Sequence, residues 1–422
     1  MAHEGRRGQP VVSGHARRRI GSCHRGGRPG GLPRRLHHWP TGLWCLVAPR
    51  PLRLSKVSVS LTCSLVGCGV RGSYWAGILA EHPGVSLEAL VDPDIGKAQA
   101  LAASLEIPAA CHSSLKPESS PCDFVVLATP PELHHGQVQA CLARGMHIIC
   151  EKPLVEELAQ AIELVRLAQE TDRQLMVGMN FRYLAASQHL RQTVQEQRLG
   201  QLAFGRFNYT RNRDGRRGDL NSYPLTMRHP MLLEQSVHHL DLIRYCYAQE
   251  VVRVCADMWN PPGSVYRHDS CVSVLMEMAD GTRVNYLGTW TAGWNGMEFA
   301  WRTDFEGGMV LQRNQFADVV ECRLEPELGL TGLRFKDGEQ AEELHSVPLK
   351  SQRPFVDDAK GLLDEFVSCV NQGLSVRTSA HDHLGTLALL EACMQSNAAG
   401  TWIDLAHVFA DHGAANLWPT PH

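Results

Sequence analysis

The chain has 422 residues, 44% of them hydrophobic, a length that holds two ordinary domain cores rather than four. Its net charge of −3 divides unevenly: residues 1–56 carry twelve Lys and Arg against the single acid Glu4, so +11 lies there and −14 on the remainder. An acidic body excludes a nucleic-acid-binding surface on the folded part, since phosphate contacts need clustered positive charge, and leaves small molecules as the expected partners.

No run approaches the roughly 18 to 20 apolar residues of a membrane-spanning helix, and no compact apolar signal core opens the chain, so a soluble, cytoplasmic protein without membrane contacts is expected. The fourteen cysteines, from Cys23 to Cys393, contain no CxxC pair, which points to reduced thiols and away from a zinc site. Residues 1–56, with Arg17-Arg18-Arg19 and a Gly-rich run from Gly26 to Gly31, show no period and are expected to be a disordered basic segment outside the fold. A transit peptide and a start site assigned too far upstream are the alternatives for it.

From Val57 the texture changes. Val57, Val59, Leu61, Cys63, Leu65 and Val66 predict a strand, Gly67-Cys68-Gly69-Val70-Arg71-Gly72 follows, and Ser73 to Ala80 reads as a helix start. This is GxGxxG between strand and helix. Gly67 permits the tight turn, Gly69 lets the backbone approach a pyrophosphate, and Gly72 allows helix and strand to pack closely. A second predicted strand, Ser86 to Val91, ends in Asp92, twenty residues after Gly72. A carboxylate there binds the adenine ribose hydroxyls and repels a 2′-phosphate, while Pro93 offers no cation, so NAD is expected over NADP. The plainer role for Asp92 is to cap a helix beginning near Ile95.

Further along, a buried strand Phe124 to Ala128 ends in Thr129-Pro130-Pro131, and Leu133 to Ala143 predicts a helix. The strand His147 to Cys150 leads to Glu151-Lys152-Pro153 and the helix Glu156 to Thr171; Gln174 to Gly178 leads to Asn180-Phe181-Arg182-Tyr183. Alternating strands and helices predict a parallel sheet with ligands beyond its carboxyl ends, where Thr129, Lys152 and Asn180 all lie.

The second half reads differently. Leu232 to Tyr247 predicts a helix on which Glu234, His238 and Asp241, at i, i+4 and i+7, share one face while His239 points elsewhere. Strand-like runs are Ala203 to Thr210, Val251 to Met258, Cys271 to Met278 and Thr282 to Thr289, with Asp280-Gly281 as a hairpin turn, and further strands fall in 297–311 and 319–324. Runs without intervening helices predict antiparallel pairing. The expected fold class is α/β: a Rossmann domain, a doubly wound parallel sheet, over 57–180, then a C-terminal α/β domain with a large open, mostly antiparallel sheet over 181–405. A tail over 406–422 would close the chain. A broad sheet must cover its second face, so a homodimer or homotetramer is expected.

Taken together, GxGxxG, the Asp ending the second strand, Thr-Pro-Pro-x-x-His, Glu-Lys-Pro and Asn-x-Arg-Tyr resemble the glucose-fructose oxidoreductase/inositol dehydrogenase (Gfo/Idh/MocA) family from about Val57 to Leu405. Phe366, Glu391, Ala392, Ser396, Gly400 and Trp402 fall in a segment similar to the family's closing one. The resemblance implies an NAD(P)-binding Rossmann domain, a second domain with an open sheet, and oxidation of sugars, polyols or related cyclic alcohols. It implies cofactor contacts from Gly67, Gly69, Val70, Arg71, Gly72, Asp92, Thr129, Pro130, His134, Glu151 and Lys152, although a packing role for His134 is equally compatible. It also implies that Lys152 reaches both nicotinamide ribose and substrate, joined at the substrate by Arg182, Glu234, His238 and Asp241. The segment around His238 resembles the family's Asp-x-Gly-x-His-x-x-Asp motif with two departures, Glu234 for the first acid and Ser236 for the glycine, which put substrate placement in doubt.

Oxidising an alcohol needs a base for the hydroxyl proton while hydride leaves the carbon, and histidine titrates near neutrality. His238 is assigned as that base, Glu234 as its orienting carboxylate or a ligand of a substrate hydroxyl, and Lys152 as the cation that stabilises charge developing on oxygen. Asp241 is read as standing behind them. The His238-His239 pair with Asp241 does not make a metal site, because adjacent histidines leave a helix on different faces. Trp290, Trp294 and Trp301 fit either a sugar platform or a core, and Arg211, Arg213, Arg216 and Arg217 before Tyr223 fit either an acidic substrate or a solvated loop. The rival functions are an NAD-dependent glycosidase using transient redox chemistry and a non-enzymatic NAD(P)-binding regulator.

Overall fold

A run such as Phe124-Val125-Val126-Leu127 has no polar face to turn to solvent, so it settles as an interior strand buried on both sides. The computed structural model describes residues 60–115, 122–213, 222–293, 296–324, 344–350, 352–353 and 355–419. The basic segment 1–56, Trp294, Arg216 and Arg217 lie outside the described residues.

The first sheet is made by β1 (Leu61–Val66), β2 (Val85–Val91), β3 (Ala110–His112), β4 (Phe124–Leu127), β5 (His147–Cys150) and β6 (Leu175–Val177). Between them run α1 (Val70–Glu81), α2 (Ile95–Ser104), α3 (Pro131–Leu142) and α4 (Leu158–Glu170). The strands pair in parallel in the order β3-β2-β1-β4-β5-β6. Direction of winding reverses between β1 and β4, which opens a crevice beyond their carboxyl ends at Gly67 and Thr129. The sequence reading missed β3, whose three residues are too few to show a period.

After a single 3-10 turn (Asn180–Tyr183) come α5 (Ala185–Gln195) and β7 (Leu202–Arg211). A π-helical turn over Met231–Ser236 then runs directly into α6 (Val237–Tyr247). The predicted helix is therefore present, but its first six residues are wound more loosely than an α-helix, a geometry often found at functional sites. There follow β8 (Val251–Trp259), β9 (Cys271–Met278), β10 (Arg283–Thr289), β11 (Met297–Phe305), β12 (Gly308–Arg313), β13 (Asp318–Arg323) and β14 (His345–Ser346). The chain closes with α7 (Asp357–Gln372), α8 (Ala380–Ala399), β15 (Ile403–Asp404) and α9 (Leu405–Asp411).

The second sheet has the order β14-β13-β12-β11-β7-β10-β9-β8-β15. Its pairs are antiparallel except β7 with β10, which run parallel because the chain crosses over through α6, β8 and β9 before β10 is laid beside β7. The predicted hairpin joins β9 to β10, with Gly281 at φ +92° and Met278 N–H donating to the Thr282 carbonyl at 2.9 Å. Alternation along β9 and β10 buries Val274, Met276, Val284 and Tyr286 on the helix side and leaves the other face open.

Two features of the far end were not readable from local pattern. Helix α7 returns to the first sheet, where Phe366 meets Phe124 at 5.1 Å and Leu362 and Leu363 join Leu65, Trp75 and Leu79 in one apolar cluster. The expected tail is folded: Val408 and Phe409 of α9 are buried, and Phe409 packs edge-on to Trp418. Among the described residues no helix is long and apolar enough to cross a membrane.

Candidate functional site

The glycine-rich turn has the space a dinucleotide needs. A Cβ on Gly72 would stand 1.9 Å from the Gly67 carbonyl oxygen, so only glycine lets α1 close onto β1. Gly67 has φ +94°, and a Cβ there would meet the Ala128 carbonyl at 2.7 Å. Gly69 caps α1 without a side-chain hydrogen bond, and nothing lies within 4 Å of where its Cβ would be. The first N–H groups of α1, at Val70 and Arg71, thus line a cradle suited to a pyrophosphate.

Asp92 ends β2 beside this turn. Its Oδ2 accepts the Cys68 N–H at 2.9 Å and its Oδ1 accepts the Asp94 N–H at 3.0 Å, which leaves a lone pair on each oxygen for ribose hydroxyls. The capping role considered for Asp92 belongs instead to Asp94, whose carboxylate accepts the Gly96 N–H at the start of α2. The residues present therefore fit an adenine dinucleotide.

Thr129 and Pro130 lie across the crevice at the start of α3, with Thr129 Oγ1 donating to Gln137 at 2.6 Å. His134 is fully buried and does not face the crevice: Nδ1 stands 3.0 Å from the Pro153 carbonyl and Nε2 2.8 Å from the Thr129 carbonyl. The expectation of a direct cofactor contact gives way to a tie between two turns that flank the crevice. Glu151 is similarly engaged by protein, accepting from Arg71 Nε at 2.5 Å and Trp75 Nε1 at 2.7 Å. Burial alone would raise its carboxyl, but the Arg71 charge and these two bonds outweigh that and hold it below the usual range.

Lys152 projects from the same turn toward the π-helical segment. Its Nζ donates to Glu234 Oε2 and to the Glu234 carbonyl, each at 2.9 Å, with 14% of the lysine side chain and 18% of the glutamate exposed. Glu234 thus bonds Lys152, whereas His238 was one of the two partners expected for it, the other being a substrate hydroxyl. Tyr223, in a 3-10 turn (Tyr223–Leu225), stands near enough to the same carboxylate to feel its charge, with its side chain partly exposed. Burial and the Glu234 charge push that phenol well above its ordinary range. Sequence reasoning had noted Tyr223 only as the end of a basic loop, and no periodicity marks it.

His238 lies against Phe181, ring centroids 4.2 Å apart and planes 18° from parallel. Burial, followed by the charge of Lys152, the neighbouring His239 and the charge of Arg71, pushes its pKa well below the ordinary histidine value. The imidazole is neutral at pH 7, as a base must be. His239 faces away, as expected, and packs among Phe207, Tyr209 and Tyr286. Ser236 does not approach another backbone; its hydroxyl bonds the Met231 carbonyl and the Tyr286 hydroxyl.

Arg182 and Asp241, expected at the substrate, are given to each other. Arg182 Nε and Nη2 bond the two Asp241 oxygens at 2.7 and 2.6 Å, Asp382 takes a further Nη2 bond at 2.5 Å, and neither side chain is more than 3% exposed. A buried pair of this kind joins the Asn180–Tyr183 turn to α6 and α8; it has no free face for a ligand. Trp290 and Trp301 are likewise core, the first under Arg213, the second stacked on Phe207 at 4.9 Å. Among the described residues no three His, Cys, Asp or Glu side chains are grouped to hold a metal.

Comparison with known proteins agrees with this fold. Residues 61–179 match a family model described as an oxidoreductase family with an NAD-binding Rossmann fold, and residues 187–308 match the GFO/IDH/MocA C-terminal domain. An inositol 2-dehydrogenase of Rhizobium meliloti is 22% identical over 361 residues, covering 81% of this chain and 98% of the relative. Inositol 2-dehydrogenase 4 of Saccharopolyspora erythraea is 30% identical over 200 residues, 46% of this chain and 56% of its own. Among solved structures, an oxidoreductase from Agrobacterium radiobacter in complex with NAD+, L-tartaric acid and magnesium superposes with a TM-score of 0.72 at 19% identity, covering 83% of this chain and 99% of its own. A levoglucosan dehydrogenase, in complex with NADH and levoglucosan, superposes with a TM-score of 0.70 at 18% identity, covering 82% and 99%. At such identities the structural likeness bears on the fold alone. With residues 61–179 and 187–308, together more than half of its length, matched by the family's two models, the chain belongs to the Gfo/Idh/MocA family of NAD-binding oxidoreductases.

Proposed function

We propose that this oxidoreductase is a dehydrogenase of CH–OH groups that oxidises a sugar, polyol or cyclic alcohol, with Lys152, His238 and Glu234 as its chemical centre. The observation that carries the reading is the Lys152 Nζ to Glu234 Oε2 bond of 2.9 Å beside the buried, neutral imidazole of His238. NAD, when bound, supplies the acceptor for the hydride. His238 takes the hydroxyl proton, for which it has to be neutral at working pH. Lys152 places a fixed positive charge where oxygen turns negative, and its bonds to Glu234 hold the ammonium in place before substrate arrives.

Asp92 supports NAD over NADP, since its carboxylate repels a 2′-phosphate. The relatives that act on inositol and the neighbour that binds levoglucosan support a ring-shaped polyol or sugar as substrate. The open face of the second sheet, which exposes Phe204 and Leu275, supports a homo-oligomer that covers it. Twelve cysteines are free among the described residues, which supports a reducing compartment such as the cytoplasm.

The test is a nicotinamide absorbance assay with NAD or NADP against polyols, pyranoses, cyclic diols and nitrophenyl glycosides. Stoichiometric NADH from at least one alcohol is the expected result. Nitrophenol release without NADH would replace the reading with that of a glycosidase using transient redox chemistry.

A further inference from the structure

A catalytic imidazole is ordinarily held by a hydrogen bond to its second nitrogen, which fixes tautomer and ring plane together. In His238 the Nδ1 atom is buried and has no hydrogen-bond partner among the described residues. The ring lies instead flat on Phe181. Phe181 is met edge-on by Phe316 at 5.8 Å and flanked by Phe355 at 6.2 Å. Both of these phenylalanines have a left-handed backbone, at φ +68° and +64°, a conformation that bulky L-residues seldom adopt. Two separate turns, one between β12 and β13 and one before α7, thus hold unfavourable backbone while their rings meet the same partner.

We propose that Phe181 is the positioning residue of His238, its ring plane taking the place of the missing hydrogen bond, with Phe316 and Phe355 bracing it. The inference rests on the reading of His238 as the base. Stacking fixes the imidazole plane and keeps water from one of its faces. The charged and titratable groups facing His238 from the packed elements are Lys152, paired with Glu234, and Arg71, paired with Glu151, together with His239 and His383. None of them is a carboxylate bonded to the ring, so the aromatic contact carries the orientation.

The experiment follows the His238 imidazole by NMR across pH in the full chain, in wild type, Phe181→Ala, Phe181→Tyr and Phe355→Asn, alongside kcat and KM. In Phe181→Ala the His238 titration is expected to move up toward the ordinary histidine range, and the acid limb of kcat/KM to move with it. Its kcat should fall about 10- to 100-fold while NAD affinity is unchanged, as for a misplaced reacting group. Phe181→Tyr keeps the plane and should keep the wild-type titration. Phe355→Asn, whose new side chain tolerates a left-handed backbone, should fold as stably as wild type and yet shift the titration in the same direction by less. Should Phe181→Ala not fold, Phe181→Leu supplies an apolar side chain without a plane and the same comparison. A folded Phe181→Ala or Phe181→Leu with an unmoved His238 titration overturns the proposal. A moved titration without oxidation of any alcohol supports the stack and removes the dehydrogenase reading instead.

Discussion

Lys152 Nζ stands 2.9 Å from both the carboxylate and the carbonyl oxygen of Glu234, joining the turn after β5 to the π-helical turn before α6. This contact joins a cation of the Rossmann half, whose charge reaches His238, to an acid of the second half. It implies that Glu234 acts through Lys152. Glu234→Gln, which keeps the carbonyl contact and loses the charge, is expected to lower kcat about tenfold, less than the roughly 10²- to 10³-fold loss typical of removing a charge-stabilising donor outright. Steady-state kinetics of Glu234→Gln beside Lys152→Met measure the difference; equal losses would make Glu234 a direct participant.

Asp92 has two roles that one substitution separates. Asp92→Asn keeps an acceptor for the Cys68 N–H but removes the charge that faces a 2′-phosphate. NAD affinity is expected to fall and NADP affinity to rise, each by about tenfold or about 1.4 kcal/mol, with little change in Tm. Titration of cofactor fluorescence gives both constants, and an unchanged NAD to NADP ratio would remove Asp92 from cofactor selection.

The Arg182–Asp241 pair should behave as structure. Removing one partner leaves an uncompensated charge in the interior, so Asp241→Ala is expected to cost about 3–5 kcal/mol in urea unfolding. If the variant instead unfolds like wild type and shows only a raised substrate KM, Asp241 belongs to the substrate after all.

Buried neutral histidines make stability depend on pH. Burial lowers His239 from 6.5 to about 3 and His383 to about 4, and burial with Lys152 lowers His238 in the same direction. The unfolded chain binds these protons near 6.5 while the folded chain still refuses them, so unfolding takes up protons as the pH falls below that value. The stability is complete above about pH 6.5 and is lost on acidification, at about 1.4 kcal/mol per pH unit for each histidine. Urea midpoints between pH 7 and about 5, a window above most carboxyl titrations, test this; a flat profile would place these rings in contact with solvent.

What the sequence made legible was local. The three glycines, Asp92 and the Glu151-Lys152 turn are constraints that act within a few residues of the strand ends they mark, so spacing located them there, while the role expected of Lys152 came from the family resemblance. Contacts between distant segments were not legible in the same way. Lys152 and Glu234 are 82 positions apart, and helical spacing instead paired Glu234 with His238. Arg182 and Asp241 occupy family positions, but position does not disclose that each is the other's partner. The π-helical turn escaped notice because its apolar residues fit an α-helix equally well, and Tyr223 because a lone aromatic in a short turn has no period. That α7 completes the first sheet's core depends on a chain return of more than 170 residues from β6.

The most direct test of the central claim is single-turnover NADH formation by the full chain with its preferred alcohol, in wild type, Lys152→Met and His238→Asn. The account predicts that both variants bind NAD as wild type does, keep their fold, and form NADH at least about 10²-fold more slowly, the loss expected when a base or a charge-stabilising donor is removed. Variants that bind NAD and form NADH within about threefold of wild type, a difference under 1 kcal/mol in the barrier, would contradict it.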